Sequence, residues 1–221
     1  MPNRPDIVIG IDIAEARGCA VAAIDSEGAA LGATWSDSGV VPVREAVAAW
    51  SEKGAITGIG IDAPRRPLPS KRVHYWNGAR GMWRSASEKE RGHGRHCELV
   101  ISALRLANPQ WTPLGDEAPA WMQLGFEIFA DLEPRWAVYE VFPSASYSQL
   151  RADTEARLNV SFQGFASNPK DVLDAYVAAV TVREFLAGRG CAVGGGDGLG
   201  EIVLPRCVSS PESAVHRWPM R

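Results

Sequence analysis

The sequence predicts an α/β chain built on a mixed sheet: an antiparallel three-strand meander, two later strands parallel to its first, and flanking helices. Two observations carry that prediction. Three apolar runs of strand length fill the first 36 residues with only short links, and a helix-spaced segment then separates them from a fourth run. The tetrapeptide Ile-Gly-Ile-Asp also occurs twice, as Ile9-Gly10-Ile11-Asp12 and Ile59-Gly60-Ile61-Asp62, each time closing an apolar run.

Residues 6–13 form an aliphatic strand, 18–25 a second strand of small residues, and 29–35 a third, with Ser26-Glu27-Gly28 as a turn. Links this short make an antiparallel meander. Residues 42–50 place Val43, Ala46, Val47 and Trp50 at helical spacing, with Pro42 near the first turn and Gly54 beyond the end. The apolar run 55–62 is stopped by Pro64, and strand–helix–strand order implies a right-handed crossover that sets it parallel to an earlier strand. From 65 to about 95 the pattern breaks into Pro, Gly, Arg and Trp, as expected of an insertion that carries specificity. Residues 97–107 and 119–132 follow as helices with core-type apolar stripes, and 137–142 as a strand ended by Pro143. Residues 168–186 make a helix with Asn168 as cap, Pro169 in its first turn and Gly188 after its end. A glycine-rich turn at 194–200 leads to a last strand at 201–204. No domain boundary is evident, so residues 1–221 are expected to form one domain with a basic, tryptophan-containing insertion.

A chain of 221 residues with 46% hydrophobic and 22% charged residues is long and apolar enough to bury a sizeable core. No run approaches the roughly 20 apolar residues of a membrane helix, and the N-terminus lacks a signal-peptide pattern. Cys19, Cys97, Cys191 and Cys207 are scattered, without the paired spacing of a zinc site. A cytoplasmic protein that makes no membrane contact is the expectation; its oligomeric state is not encoded in any recognisable pattern. The net charge of −3 argues against a protein that coats nucleic acid electrostatically. Residues 65–95 are the exception, with nine Lys/Arg against Glu88 and Glu90, and with Tyr75, Trp76, Trp83, His74 and His93 interleaved. Phosphate-binding surfaces and solvated loops both have this composition.

The acids are in unexpected places. Asp12 follows Ile7, Val8, Ile9 and Ile11 in a strand that reads as buried on both faces. An ionised Asp there is costly unless paired, hydrogen-bonded or bound to a metal. Asp62 repeats the arrangement, and parallel neighbours in register would set the two acids side by side, about 5 Å apart at the backbone. Such carboxylates repel, and a hard cation such as Mg²⁺ or Mn²⁺ would relieve them. The late helix adds Asp171 and Asp174, three apart on one face. Asp171 suits the helix dipole as well as it suits a ligand role, whereas Asp174 leads an apolar packing face. Glu140, in Val138-Tyr139-Glu140-Val141-Phe142, is a fourth strand acid: a ligand, a general base, or the partner of a basic residue from the loop.

These segments are similar to an uncharacterised family of predicted RNase H-like nucleases. The similarity rests on residues 9–12, Gly60-Ile61-Asp62-Ala63-Pro64, Tyr139-Glu140-Val141-Phe142-Pro143, residues 171–179, and Gly196-Asp197-Gly198 with Ile202-Val203-Leu204-Pro205. The acid layout also resembles that of the Holliday-junction resolvase RuvC. The resemblance implies a ribonuclease H-like fold and Asp12, Asp62 and Asp174 as metal ligands, with Asp171 a fourth. It implies two-metal phosphodiester hydrolysis with Mg²⁺ or Mn²⁺; Glu140 joins Asp12, Asp62 and Asp174 as a catalytic candidate on its place in the strand alone. Arg80, Arg84 and Arg95 are candidates to hold substrate phosphates, and Trp76 and Trp83 to stack on bases, so a nucleic-acid partner would meet residues 65–95.

Two other readings stay open. A scaffold of this kind could bind nucleic acid or protein without turnover, its aspartates holding a structural ion. The fold is shared with actin-like kinases and ATPases, but the residues after Asp12 (Ile-Ala-Glu-Ala) and Asp62 (Ala-Pro-Arg-Arg) are not phosphate loops. The run 194–200 also fails the G-x-x-x-x-G-K-[ST] pattern.

Overall fold

The computed structural model describes residues 4–151 and 168–219. Three strands, β1 (Asp6–Asp12), β2 (Cys19–Asp25) and β3 (Ala30–Ser36), are followed by helix α1 (Val40–Ser51) and strand β4 (Ala55–Asp62). A small hairpin, β5 (His74–Asn77) and β6 (Met82–Ser85), precedes helices α2 (His96–Ala103) and α3 (Ala120–Leu132). Then come β7 (Val138–Val141), α4 (Pro143–Leu150), α5 (Pro169–Leu186), β8 (Cys191–Gly194) and β9 (Glu201–Leu204). The main sheet has the order β3-β2-β1-β4-β7-β9-β8. β1–β2–β3 pair antiparallel as the short links require. β4 lies parallel to β1, β7 to β4 and β9 to β7, and β8 closes the far edge antiparallel.

Strand alternation sorts the side chains of β1 and β4 into two layers. Ile7, Ile9, Ile11, Ile59 and Ile61 face one way and pack with Val43, Val47 and Trp50 of α1 and with Leu124, Ile128 and Phe129 of α3. Burying each such side chain is worth about 1.5–3 kcal/mol. On the other face the β-carbon positions of Gly10 and Gly60 meet α5. A methyl group at Gly10 would lie 1.8 Å from the Ala175 carbonyl oxygen and 2.6 Å from the Ala179 nitrogen; at Gly60 it would lie 2.8 Å from the Ala178 oxygen. The glycines therefore let α5 rest its small-residue face directly on the sheet. The period of two fixes the rest: the residue two after each glycine, Asp12 or Asp62, faces α5 as well.

The structure differs from the expectation in several elements. Residues 65–95 contain the β5–β6 hairpin, and α4 follows Pro143 at once, with Pro143 as its first residue. Its sequence PSASYSQL has little helical propensity, and contacts with α5 hold it. β8 was also not anticipated, and α2 ends at Ala103, before Arg105 takes a left-handed conformation (φ 57°). Asn168 does precede α5, but its side chain makes no capping bond. No described helix is long and apolar enough to cross a membrane.

Candidate functional site

β1 and β4 are paired so that Asp12 is opposite Asp62, each the last residue of its strand. Both acids thus project at the carboxyl ends of parallel strands, where α/β sheets place their ligand crevices. The approach of α5 over Gly10 brings Asp174 to the same point. One carboxylate oxygen from each of Asp12, Asp62 and Asp174 lies within 4.8 Å of the others. The cluster opens into a cavity of about 580 Å³ that is also lined by Arg17, Pro64, Gln110, Trp121, Ser144 and Lys170.

The electrostatics reflect uncompensated charge. Burial, then the charges of Asp174 and Asp171, push the Asp12 carboxyl up from 3.8 to about 7. Burial and the neighbouring Asp12 and Asp174 raise Asp62 well above its ordinary value. Each strand acid therefore favours its neutral form more than an exposed carboxyl does. Asp174 is braced from both sides: the Tyr147 hydroxyl of α4 donates to its Oδ1 at 2.7 Å, and the Lys170 ammonium one turn earlier on α5 reaches its Oδ2. Burial and the bond to Asp174 push the Tyr147 phenol above its usual range.

The other sequence candidates are distributed differently. Asp171 lines the cavity but stands outside the three-carboxylate cluster, in an ion pair with Arg17 at 2.9 Å. Glu140 is in register with Ile61, not with Asp62, so its side chain leaves the sheet on the opposite face from the triad. There it accepts from Arg95 Nη1 at 2.7 Å and from the Arg65 backbone N–H at 2.9 Å. Its pairing with a basic residue from the loop is the role the structure gives it. Arg95 is 1% exposed and also binds Glu98 at 2.9 Å, while Glu98 accepts from the Thr112 N–H at 3.0 Å. Arg95, Glu98 and Glu140 line the same cavity as the triad, and there the Arg95 guanidinium is paired with both glutamates.

Arg80, Arg84, Trp76 and Trp83 do not line the cavity. Trp76 and Trp83 pack edge to face at 5.4 Å, and Trp83 continues into a cluster with His96 and Trp218. Its indole N–H donates to the Ala214 carbonyl at 3.0 Å, tying the hairpin to the C-terminal segment. Arg84 is paired with Glu90 inside its own loop, and Arg80 lies exposed at the hairpin turn. His96 is the buried first residue of α2. Its ring is bonded to the Val215 carbonyl at 2.8 Å and accepts from Gly196 N–H at 3.0 Å, and burial favours its neutral form. That contact also uses an amide of the glycine-rich turn, which packs against α2 and does not line the cavity.

Sequence reasoning missed Tyr147, Arg17 and Trp121, and assigned Lys170 no role. Tyr147 sits on the unanticipated α4. Arg17 is in a loop whose proximity to α5 only the folded sheet creates. No family model, characterised protein sequence or solved structure gives a significant match to the chain. What defines its class is geometric: a mixed α/β fold with three converging aspartates at the carboxyl edge of parallel strands.

Proposed function

We propose that this protein is a divalent-metal-dependent hydrolase of phosphodiester bonds, a nuclease on a ribonuclease H-like sheet. The observation that carries the reading is the convergence of Asp12, Asp62 and Asp174 within 4.8 Å inside a cavity. The strand succession β3-β2-β1-β4-β7, with β2 alone antiparallel to its neighbours on both sides, supports the fold assignment, and β9 and β8 extend that sheet. An all-oxygen donor set of three converging carboxylates fits Mg²⁺ or Mn²⁺.

Asp12, Asp62 and Asp174 would hold the metal, and Asp171 would join them only by leaving Arg17. When bound, such ions activate water and stabilise the leaving oxygen. Tyr147 keeps Asp174 in one orientation through Oδ1. Arg17 and Lys170, with side chains 54% and 74% exposed, are the cavity's accessible cations and its best contacts for substrate phosphate. Trp121 and Pro64 supply an apolar wall beside them.

A second reading, a binding scaffold in which the triad holds a structural ion, is favoured by the absence of histidine among the residues described as lining the cavity. One experiment separates the two. The protein is incubated with single- and double-stranded RNA and DNA in Mg²⁺ or Mn²⁺, beside Asp12→Asn. Cleavage by wild type and not by the variant is expected. Equal cleavage by both refutes the catalytic assignment, and tight oligonucleotide binding without turnover favours the scaffold.

A further inference from the structure

Lys170 holds a position that conflicts with a metal. Both oxygens of Asp174 are engaged, Oδ1 by a neutral hydroxyl and Oδ2 by the Lys170 ammonium. A neutral hydroxyl donor on one carboxylate oxygen is compatible with an ion on the carboxylate, and commonly orients such a ligand. An ammonium on the same carboxylate is not, because a divalent ion bound there repels it at close range and competes with it for the carboxylate's charge. The lysine is free to leave, since its side chain is 74% exposed on the first turn of α5 while Asp174 is buried. Arg17 is placed differently: it pairs with Asp171, outside the cluster, so metal entry need not displace it.

We infer that Lys170 is an exchangeable counter-cation of the carboxylate cluster, expelled from Asp174 when a divalent ion enters and thereby presented to an anionic group of the substrate at the mouth of the cavity. The inference rests on the metal-dependent reading above and deepens it. It offsets part of the metal-free cluster's charge, and it couples loading of the site to the appearance of a mobile cation beside it. Lys170 would be a positioning residue in the unloaded protein and a substrate contact in the loaded one.

Two measurements on the full chain test this. Calorimetric titration with Mn²⁺ alone compares wild type, Lys170→Met and Lys170→Arg. The Met variant is expected to bind roughly three- to tenfold more tightly, the range for removing one solvent-screened charge beside the ion. The Arg variant should stay close to wild type. Separately, the chain contains only Lys53, Lys71, Lys89 and Lys170, so reductive ¹³C-methylation gives four assignable dimethyl-lysine signals. The Lys170 signal, identified by its loss in Lys170→Met, should move on Mg²⁺ addition while the other three stay fixed. An unmoved Lys170 signal at saturating Mg²⁺, or a Met variant that binds Mn²⁺ no more tightly, overturns the exchange. Absence of Mn²⁺ binding by wild type overturns the metal reading itself, and the exchange with it.

Discussion

Replacing Asp12 by Asn removes a charge that the metal-free fold holds at a cost, so the substitution should stabilise the protein while destroying its site. Asp12 is 9% exposed, and its carboxyl is raised from 3.8 to about 7 by burial and by its acidic neighbours. The folded protein therefore binds more protons than the unfolded chain between pH 4 and 7. Stability falls as pH rises through that window and stays low above it. A displacement of that size corresponds to on the order of 4 kcal/mol for the fully ionised cluster. Asn escapes the repulsion but still buries an amide, so about half should be recovered at pH 8. For a chain of this length that is a rise in Tm of roughly 4–8 °C. Thermal unfolding in EDTA at pH 5 and pH 8 reads the effect: the wild type should lose Tm between the two, and Asp12→Asn much less. Adding Mn²⁺ at pH 8 should restore the wild type and leave the variant unchanged. A variant in EDTA at pH 8 that melts at or below the wild-type temperature would refute the reasoning, because Asp12 would then be a satisfied structural residue.

The remaining predictions concern how the site is held. Gly10→Ala places a methyl group against α5 backbone at 1.8 Å and should cost more than about 3 kcal/mol or prevent folding, whereas Gly60→Ala, with its nearest contact at 2.8 Å, should be milder; denaturant melts order the two. Arg95→Met leaves Glu98 and Glu140 buried without their cation and should destabilise by about 3–5 kcal/mol, with the triple change Arg95→Met, Glu98→Gln, Glu140→Gln recovering much of it in the same assay. Tyr147→Phe removes the bond that orients Asp174 and should weaken Mn²⁺ binding about tenfold by calorimetry. Arg80→Ala, at a residue that does not line the cavity, should leave both Mn²⁺ affinity and turnover unchanged.

The legibility of the site in the sequence followed the range of the interactions that build it. Asp12 and Asp62 could be read because a strand of alternating isoleucine and glycine reports burial on both faces and, through its period of two, the face on which the acid emerges. Asp174 could be read because it adjoins an unbroken small-residue helix face. Tyr147 could not, since its helix exists through packing on α5 and not through its own propensity. The basic loop misled for a related reason. Counting charges between residues 65 and 95 ignores partners outside or within it, and Arg95 finds Glu140 45 residues away while Arg84 finds Glu90 six residues on. A local surplus of cations is evidence for an anionic ligand only after the folded chain's own acids have been assigned to it.

The same logic explains why Glu140, so close in sequence pattern to Asp62, belongs to different chemistry. A one-residue offset in register between β4 and β7 aligns it with Ile61 and sends its side chain through the opposite face of the sheet. On that face, residues 65–95 descend from the end of β4, and Arg95 with the Arg65 amide pins them to β7. Asp12, Asp62 and Asp174 on one face and Arg95, Glu98 and Glu140 on the other then form the two halves of one construction. The first leaves negative charge uncompensated beside a cavity. The second consumes its charge internally to hold the wall of that cavity in place, and only the first retains the unmet charge that a cation would answer.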